Sequence, residues 1–242
     1  MRLLVLSDIH ANWPALRAIH EKADVVICLG DIVSYGSSPR ECLAWVREHA
    51  AHVVRGNHDT ALAYAAESGA AAFKQDLAVA TLERHRRLLG EDELAWLRGL
   101  PTEVNFRVEE YRFHAVHASP TDHLFSYRLT PDLSDEELKK EVAEVRADIV
   151  LLGHTHLPMS RGAWTKVVLN PGSVGQSLDG DPRASYAVIE DGMAEIRRVE
   201  YDVEAAVAGI RGMGLPSEMA EALIGILRTG KPCTGLGAER TG

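Results

Sequence analysis

Cysteine is scarce in this chain, and the three present exclude more than they suggest. Cys28, Cys42 and Cys233 are far apart, odd in number and form no CxxC, so neither a disulfide framework nor a thiolate zinc knuckle is expected. A reducing cytoplasm suits such usage. Excess positive charge is also absent. The formal net charge is -9, which argues against general affinity for nucleic acid or an anionic membrane; a site that handles anions must then create positive potential locally, and metal ions are one means. No apolar run approaches the roughly 20 residues of a membrane span, and the Leu3–Leu6 run is too short for a signal-peptide core before it meets Asp8. The chain therefore reads as soluble and intracellular. Internal repeats, low-complexity tracts and an obvious linker are missing, so 242 residues with 46% hydrophobic content read as one large domain. Gly172 to Gly175 has no lysine after it and forms no P-loop. Ser119 has no acid and base in triad order.

What is present begins at Leu3-Leu4-Val5-Leu6-Ser7-Asp8-Ile9-His10. This is an apolar run of buried-strand character ending in an acid and a histidine two residues apart. On extended backbone such side chains point the same way, so Asp8 and His10 can address one point. Asn12 and Trp13-Pro14 open a helix read to Lys22. Residues 24–29 form a second buried strand closed by Gly30-Asp31, Ser38-Pro39 opens a helix to about Ala50, and residues 51–55 form a third strand ending in Gly56-Asn57-His58-Asp59. This alternation is that of a sheet with parallel neighbours. Residues 60–100 read as a helical excursion that covers the sheet and takes no catalytic role. Strands over 104–108 and 111–116 deliver His117. A loop over 121–133 carries His123, Tyr127 and Arg128, a charged helix spans 134–147, and a strand over 148–152 ends in Gly153-His154-Thr155-His156. Strands follow at 166–169, 184–189 and 194–201. Two amphipathic helices lie beyond Asp202, broken near Gly212 to Pro216, before a tail that frays from about Thr229.

Five strand ends thus carry Asp8/His10, Asp31, Asn57/His58, His117 and His154/His156. In sheets rich in parallel strands, ligands bind beyond the carboxyl ends of the strands, so one surface can collect the whole set. Carboxylates, imidazoles and one amide without thiolate suit manganese, iron, zinc or nickel. The ligands are too many for one tetrahedral ion and about right for two that share a carboxylate.

The ordered series DxH, GD, GNHD, H, GHTH, over residues 3 to 190, resembles the calcineurin-like metallophosphoesterase superfamily and its compact prokaryotic phosphodiesterase-like branch. The resemblance implies an α/β (α+β) fold, a four-layer αββα sandwich of two mixed β-sheets flanked by helices. It implies two divalent ions, manganese foremost, with Asp8, His10, Asp31 and His156 on one and Asp31, Asn57, His117 and His154 on the other. It further implies in-line hydrolysis of phosphodiesters or small phosphomonoesters by a metal-bridging hydroxide, with His58 protonating the leaving oxygen or steadying the transition state. Glycines 30, 56 and 153 fit sharp turns close to ions or substrate, and the 172–175 turn fits a place on the substrate side.

Departures narrow the reading. The protein serine/threonine phosphatase branch continues its second motif as GDxVDRG, where the later Asp orients the catalytic His and the Arg grips phosphate. Here Ser34 replaces that acid, Tyr35 replaces the arginine, and Asp59 stands where that branch has Glu. A phosphoprotein phosphatase is therefore the second choice, a non-catalytic metal-binding scaffold the third, and what orients His58 is left open. His114 reads as a surface or packing histidine, His123 as a plain loop histidine, and His20, His49, His52 and His85 as solvated or capping. Trp13, Trp45 and Trp96 read as core and Cys28 as a small buried hydrophobe. Residues 1–201 form the expected metallophosphoesterase domain. Residues 202–242 form a helical extension on that domain or on a partner subunit, which leaves homo-oligomerisation open. Substrate choice is expected in loops 34–40, 60–75, 119–133 and 172–183.

Overall fold

A computed structural model describes residues 1–70 and 74–232. Cys233, most of the tail read as frayed, and residues 71–73 of the 60–75 loop lie outside these. The first sheet contains β1 (Arg2–Leu6), β2 (Val25–Cys28), β3 (His52–Val53), β9 (Ala184–Glu190) and β10 (Met193–Val199) in the order β10-β9-β1-β2-β3. The second contains β4 (Glu103–Val108), β5 (Tyr111–Val116), β6 (Ile149–Leu151), β7 (Met159–Ala163) and β8 (Lys166–Asn170) in the order β4-β5-β6-β8-β7. Each sheet is mixed. β1, β2 and β3 run parallel, as do β5, β6 and β8, while β9, β10, β4 and β7 pair antiparallel with their neighbours.

Strand periodicity builds the layers. Along β1, Leu3 and Val5 point between the sheets, where they meet Ile27, Ala187 and Ile189 of their own sheet and Phe113, Ala115, Ile149, Leu151 and Leu169 of the other. Leu4 and Leu6 point the opposite way, into a core with residues of α1 (Trp13–Leu16), α2 (Pro39–His49), α3 (Asn57–Tyr64), α4 (Gln75–Leu88) and α5 (Glu91–Gly99). Alternate residues of one strand thus serve two cores, each buried leucine being worth about 1.5–3 kcal/mol. On the far face of the second sheet, Leu138 of α6 (Asp135–Glu141) packs with Val116, Val150, Leu152 and Val168. The result is the expected arrangement of two mixed sheets flanked by helices, with five strands in each sheet.

α7 (Val203–Arg211) and α8 (Ser217–Thr229) set Ala206, Val207, Ile210, Leu223, Ile224 and Leu227 against Leu77 and Ala78 of α4 and against Tyr35. The fraying expected from Thr229 does not begin there: Gly230 adopts φ 63 and its carbonyl accepts the Gly180 N–H at 2.7 Å. Other boundaries differ from the sequence reading. The first helix stops at Leu16 instead of Lys22, because the Ala18 and Ile19 amides bond three residues back in a tighter turn. The charged helix ends at Glu141 instead of Ala147. β7 is an additional strand; its Ser160, Arg161 and Gly162 lack the β-branched run that marks a strand.

Candidate metal centre

All seven residues read as ligands are buried, as is His58. They follow β1, β2, β3, β5 and β6, so the carboxyl edges of both parallel blocks supply one place. Two groups of donor atoms form there, Asp8 with His10 and His156, and Asp31 with His117 and His154, each with its atoms within 4.8 Å of one another.

The backbone reason for this convergence is not the one expected. β1 ends at Leu6, and Asp8 and His10 lie in left-handed conformation at φ 54 and 48 instead of along an extended strand. Asp31, His154 and His156 share that conformation at φ 54, 68 and 60. Non-glycine residues rarely hold it, and such strain gathers where surrounding contacts enforce it. The enforcing contacts are polar and buried. Asp59 accepts the N–H groups of Asp31, Ile32 and Gly56 at 2.8, 2.9 and 3.1 Å, which clamps the turn that presents Asp31. Ser173 Oγ donates to the Asp8 carbonyl at 2.8 Å, and the amides of Val174 and Gly175 donate to the carbonyls of Ser7 and Asp8 at 3.0 Å. The 172–175 turn therefore braces the end of β1. A Cβ on Gly56 would sit 2.1 Å from Asp31 Oδ1, and one on Gly153 would sit 1.9 Å from Ser7 Oγ, so these glycines admit the protein's own donor turns.

Tautomers are fixed by carbonyls, which can only accept. Nδ1–H of His10, His117 and His156 donates to Val33, Leu29 and Gln176 at 3.0, 2.7 and 2.5 Å. Each Nε2 lone pair then faces inward, as a ligating histidine requires. The Nε2 atoms of His10 and His156 stand 3.1 Å apart. Asp8 Oδ2 is held by Ser7 Oγ and by the His154 amide, while Oδ1 is buried without a hydrogen-bond partner among the described residues and lies 3.4 Å from His156 Nε2. Asn57 donates Nδ2–H to the Ser68 carbonyl at 2.6 Å and turns Oδ1 to His117 Nε2 and His154 Nδ1, at 2.9 and 3.0 Å. Asp31 Oδ1 accepts the His58 amide at 2.9 Å; Oδ2 lies 3.4 Å from His117 Nε2 and 3.9 Å from His10 Nε2. That one oxygen is within reach of both groups.

Inward lone pairs and carboxylate oxygens crowded in a buried space attract cations, and the donor set fits hard to borderline divalent metals. Electrostatics agree. Burial, reinforced by the neighbouring Asp31 charge, raises the Asp8 carboxyl to about 7, whereas Asp31, despite burial, is held well below the carboxylate range by the surrounding imidazoles. Burial favours neutral imidazoles and lowers His154 to about 3 and His58 to about 4. His117 is the exception: burial would lower it, but the Asp31 and Asp8 carboxylates raise it to about 9.

The question about His58 has a structural answer. Its Nε2 lies 3.3 Å from the Tyr35 hydroxyl and 3.9 Å from Asp31 Oδ2. Tyr35 in turn is placed by α4, contrary to the reading of residues 60–100 as mere cover and of His85 as solvated or capping. His85 is fully buried; its Nδ1 accepts the Ser34 amide at 3.1 Å, and its Nε2–H donates to the Gly36 carbonyl at 2.9 Å. Thr81 accepts the Tyr35 amide at 3.1 Å and meets Ser34 Oγ at 3.2 Å. Spaced i and i+4, Thr81 and His85 grip one turn from one helix face. Among other histidines, His123 bonds Thr102, His49 bonds the Trp45 carbonyl, His114 bonds Asn105 and His52 stacks on Phe106; none lines the centre.

A cavity of about 240 Å³ opens over the donors, lined by Asp31, Tyr35, His58, Lys74, Tyr127, His154, Thr155, His156, Leu157, Leu178 and Pro232. Residues 1–191 match the calcineurin-like phosphoesterase superfamily domain. This chain belongs to that superfamily. It is a metal-dependent phosphoesterase of the compact prokaryotic branch. An uncharacterised protein of Methanocaldococcus jannaschii is 30% identical, covering 91% of this chain and 96% of its own length. The phosphodiesterase YfcE of Escherichia coli is 27% identical over 81% of this chain and 91% of its own. A metallophosphoesterase from Sphaerobacter thermophilus superposes with a TM-score of 0.80 at 30% identity, covering 95% of this chain and all of that one. No helix among the described residues is long and apolar enough to cross a membrane.

Proposed function

We propose that this phosphoesterase hydrolyses phosphodiesters or small phosphomonoesters at a centre of two divalent ions, manganese foremost. Asp8, His10, Asp31 and His156 would hold one ion, and Asp31, Asn57, His117 and His154 the other. The observation that carries this reading is Asp31 Oδ2, placed between the two donor groups at 3.4 Å from His117 and 3.9 Å from His10. Such ions, when bound, supply the charge that lowers the pKa of water for in-line attack and that neutralises phosphoryl oxygens. The chain's own part is to orient and to exclude. The backbone carbonyls at 29, 33 and 176 fix the imidazoles, Asp59 fixes Asp31, and packing leaves the donor side chains buried. His58, steadied by Tyr35, serves the phosphoryl or leaving oxygen by hydrogen bond or proton transfer.

The named activity of the Escherichia coli relative and the absence of an arginine at Tyr35 favour diesters over phosphoproteins. Residues 1–201 carry all these groups, and a cytoplasmic location suits the composition. The test is metal analysis combined with a screen of bis-nitrophenyl phosphate, small monoesters and phosphopeptides, with and without added manganese. Two ions per chain with ester turnover are expected. One tetrahedral zinc would overturn the dinuclear reading, and two ions without turnover of any ester would favour a binding scaffold.

A further inference from the structure

Three backbone carbonyls fix the inward imidazoles, and they are not equally supported. Leu29, which serves His117, continues β2, and its amide donates to the Leu6 carbonyl at 2.8 Å. Val33, which serves His10, lies in the turn clamped by Asp59. Gln176, which accepts the His156 Nδ1–H at 2.5 Å, lies instead in residues 171–183, which join β8 to β9 without helix or strand. With no ladder to hold it, that carbonyl depends on side chains for its direction.

A carbonyl shares its peptide plane with the N and Cα of the next residue, so Gln176 O points where Gln176 and Ser177 are both anchored. Gln176 is anchored nearby, its amide donating to Ser173 Oγ at 2.8 Å. Ser177 is anchored from farther away. Its Oγ donates to the Arg183 carbonyl at 3.0 Å and accepts from Arg198 Nη1 at 3.4 Å. Arg198 stands on β10 opposite Ser185, and its side chain, only 15% exposed, reaches back across the loop. The same Nη1 approaches the carbonyls of Asp181 and Arg183 at 3.2 and 3.4 Å, and Nη2 donates to the Asp179 carboxylate. A planar guanidinium, with its fork of N–H donors, can gather so spread a set of acceptors, whereas a lysine ammonium cannot match the fork.

We propose that Arg198 is a positioning residue for the metal centre. By gripping Ser177, Asp179, Asp181 and Arg183 it fixes the peptide plane between Gln176 and Ser177, and through that carbonyl it directs the His156 Nε2 lone pair toward Asp8 and His10. The proposal rests on the dinuclear reading above in taking His156 as a ligand, whereas the orientation of the ring belongs to the metal-free protein. It separates His156 from His117, whose carbonyl partner is held by the sheet and owes nothing to Arg198.

The test begins with the metal-free full chain, by proton–nitrogen magnetic resonance of its histidine rings. In Arg198→Met the His156 Nδ1 proton is expected to exchange with solvent about tenfold faster, while the His117 Nδ1 proton exchanges as in wild type. Arg198→Lys should recover part of the difference. In calorimetric titration with manganese, Arg198→Met should hold the ion of the Asp8, His10 and His156 group about tenfold more weakly and the other ion as before. Unchanged exchange at His156, or manganese affinity equal to wild type at both positions, would overturn the proposal. So would equal acceleration at His156 and His117, the outcome for an arginine that only stabilises the fold. Ser177→Ala is a milder change that serves if Arg198→Met does not fold: it should accelerate exchange at His156 severalfold without moving His117, and no acceleration would overturn the proposal. Failure of the underlying reading looks different, since the wild type would then bind fewer than two ions while the contrast between the two rings persists.

Discussion

The donor turns and helix α4 contribute to the same site by opposite means. Five of the seven donors sit at left-handed φ between 48 and 68, a conformation that costs on the order of 1 kcal/mol or more each and survives only where neighbours enforce it. α4 is regular, and it offers Thr81 and His85 from one face to the 34–36 turn and Lys74 from its start to the cavity. The directions of the proposed ligands are thus set by strain locked with buried hydrogen bonds, whereas the groups proposed to face substrate are set by an ordinary helix. Substitutions in the turns should therefore cost metal, and substitutions on α4 or at Tyr35 and His58 should cost catalysis while metal stays.

The largest effect is expected at the shared donor. Asp31→Asn should reduce turnover on the order of a thousandfold and weaken both ions, measured as metal per chain after dialysis; full retention of two ions would break the comparison at its centre. His58→Ala should lower kcat by roughly a hundred- to ten-thousandfold with metal content unchanged, and unchanged turnover would remove His58 from the mechanism. Asp8→Asn should be milder and one-sided. It should weaken the ion shared with His10 and His156 by about 10- to 100-fold and leave the donors of the other in place, so equal loss of both would show that the groups do not separate.

The smallest effects belong to the brace. His85→Gln should lower kcat about tenfold or less, through Tyr35 and His58, without loss of metal. It should also alter the acid limb of stability. Burial lowers His85 to about 4 from an ordinary 6.5, so between those values the unfolded chain takes up a proton that the folded one refuses. Stability from this group is complete above pH 6.5 and is lost as pH falls toward 4, by up to about 3 kcal/mol. Urea midpoints across that window should fall less steeply for His85→Gln than for wild type, and parallel curves would contradict the assignment.

How much was legible beforehand follows the same division. Asp8, His10, Asp31, Asn57, His117, His154 and His156 were legible because a donor's chemistry is its residue type, and their place after apolar runs fixes which sheet edge they occupy. The left-handed turns were not, since Asp and His carry no strong signature for that conformation, and the extended geometry expected at Asp8 and His10 was the wrong reason for a convergence that does occur. Asp59 stood out only as a departure from a motif; that its carboxylate gathers four backbone amides depends on how α3 meets the β2 turn. His85, Thr81 and Lys74 carry no pattern at all within an alanine-rich helical stretch, because their partners lie about 40 to 50 residues away. Only the packing of α4 brings those partners together.

The central claim is that one carboxylate, Asp31, joins two metal positions. Electron paramagnetic resonance of the manganese-loaded protein, read beside metal content, tests it most directly. Two ions per chain with an exchange-coupled spectrum are expected, collapsing in Asp31→Asn. A single ion per chain, or two ions whose spectra remain those of isolated manganese, would contradict it.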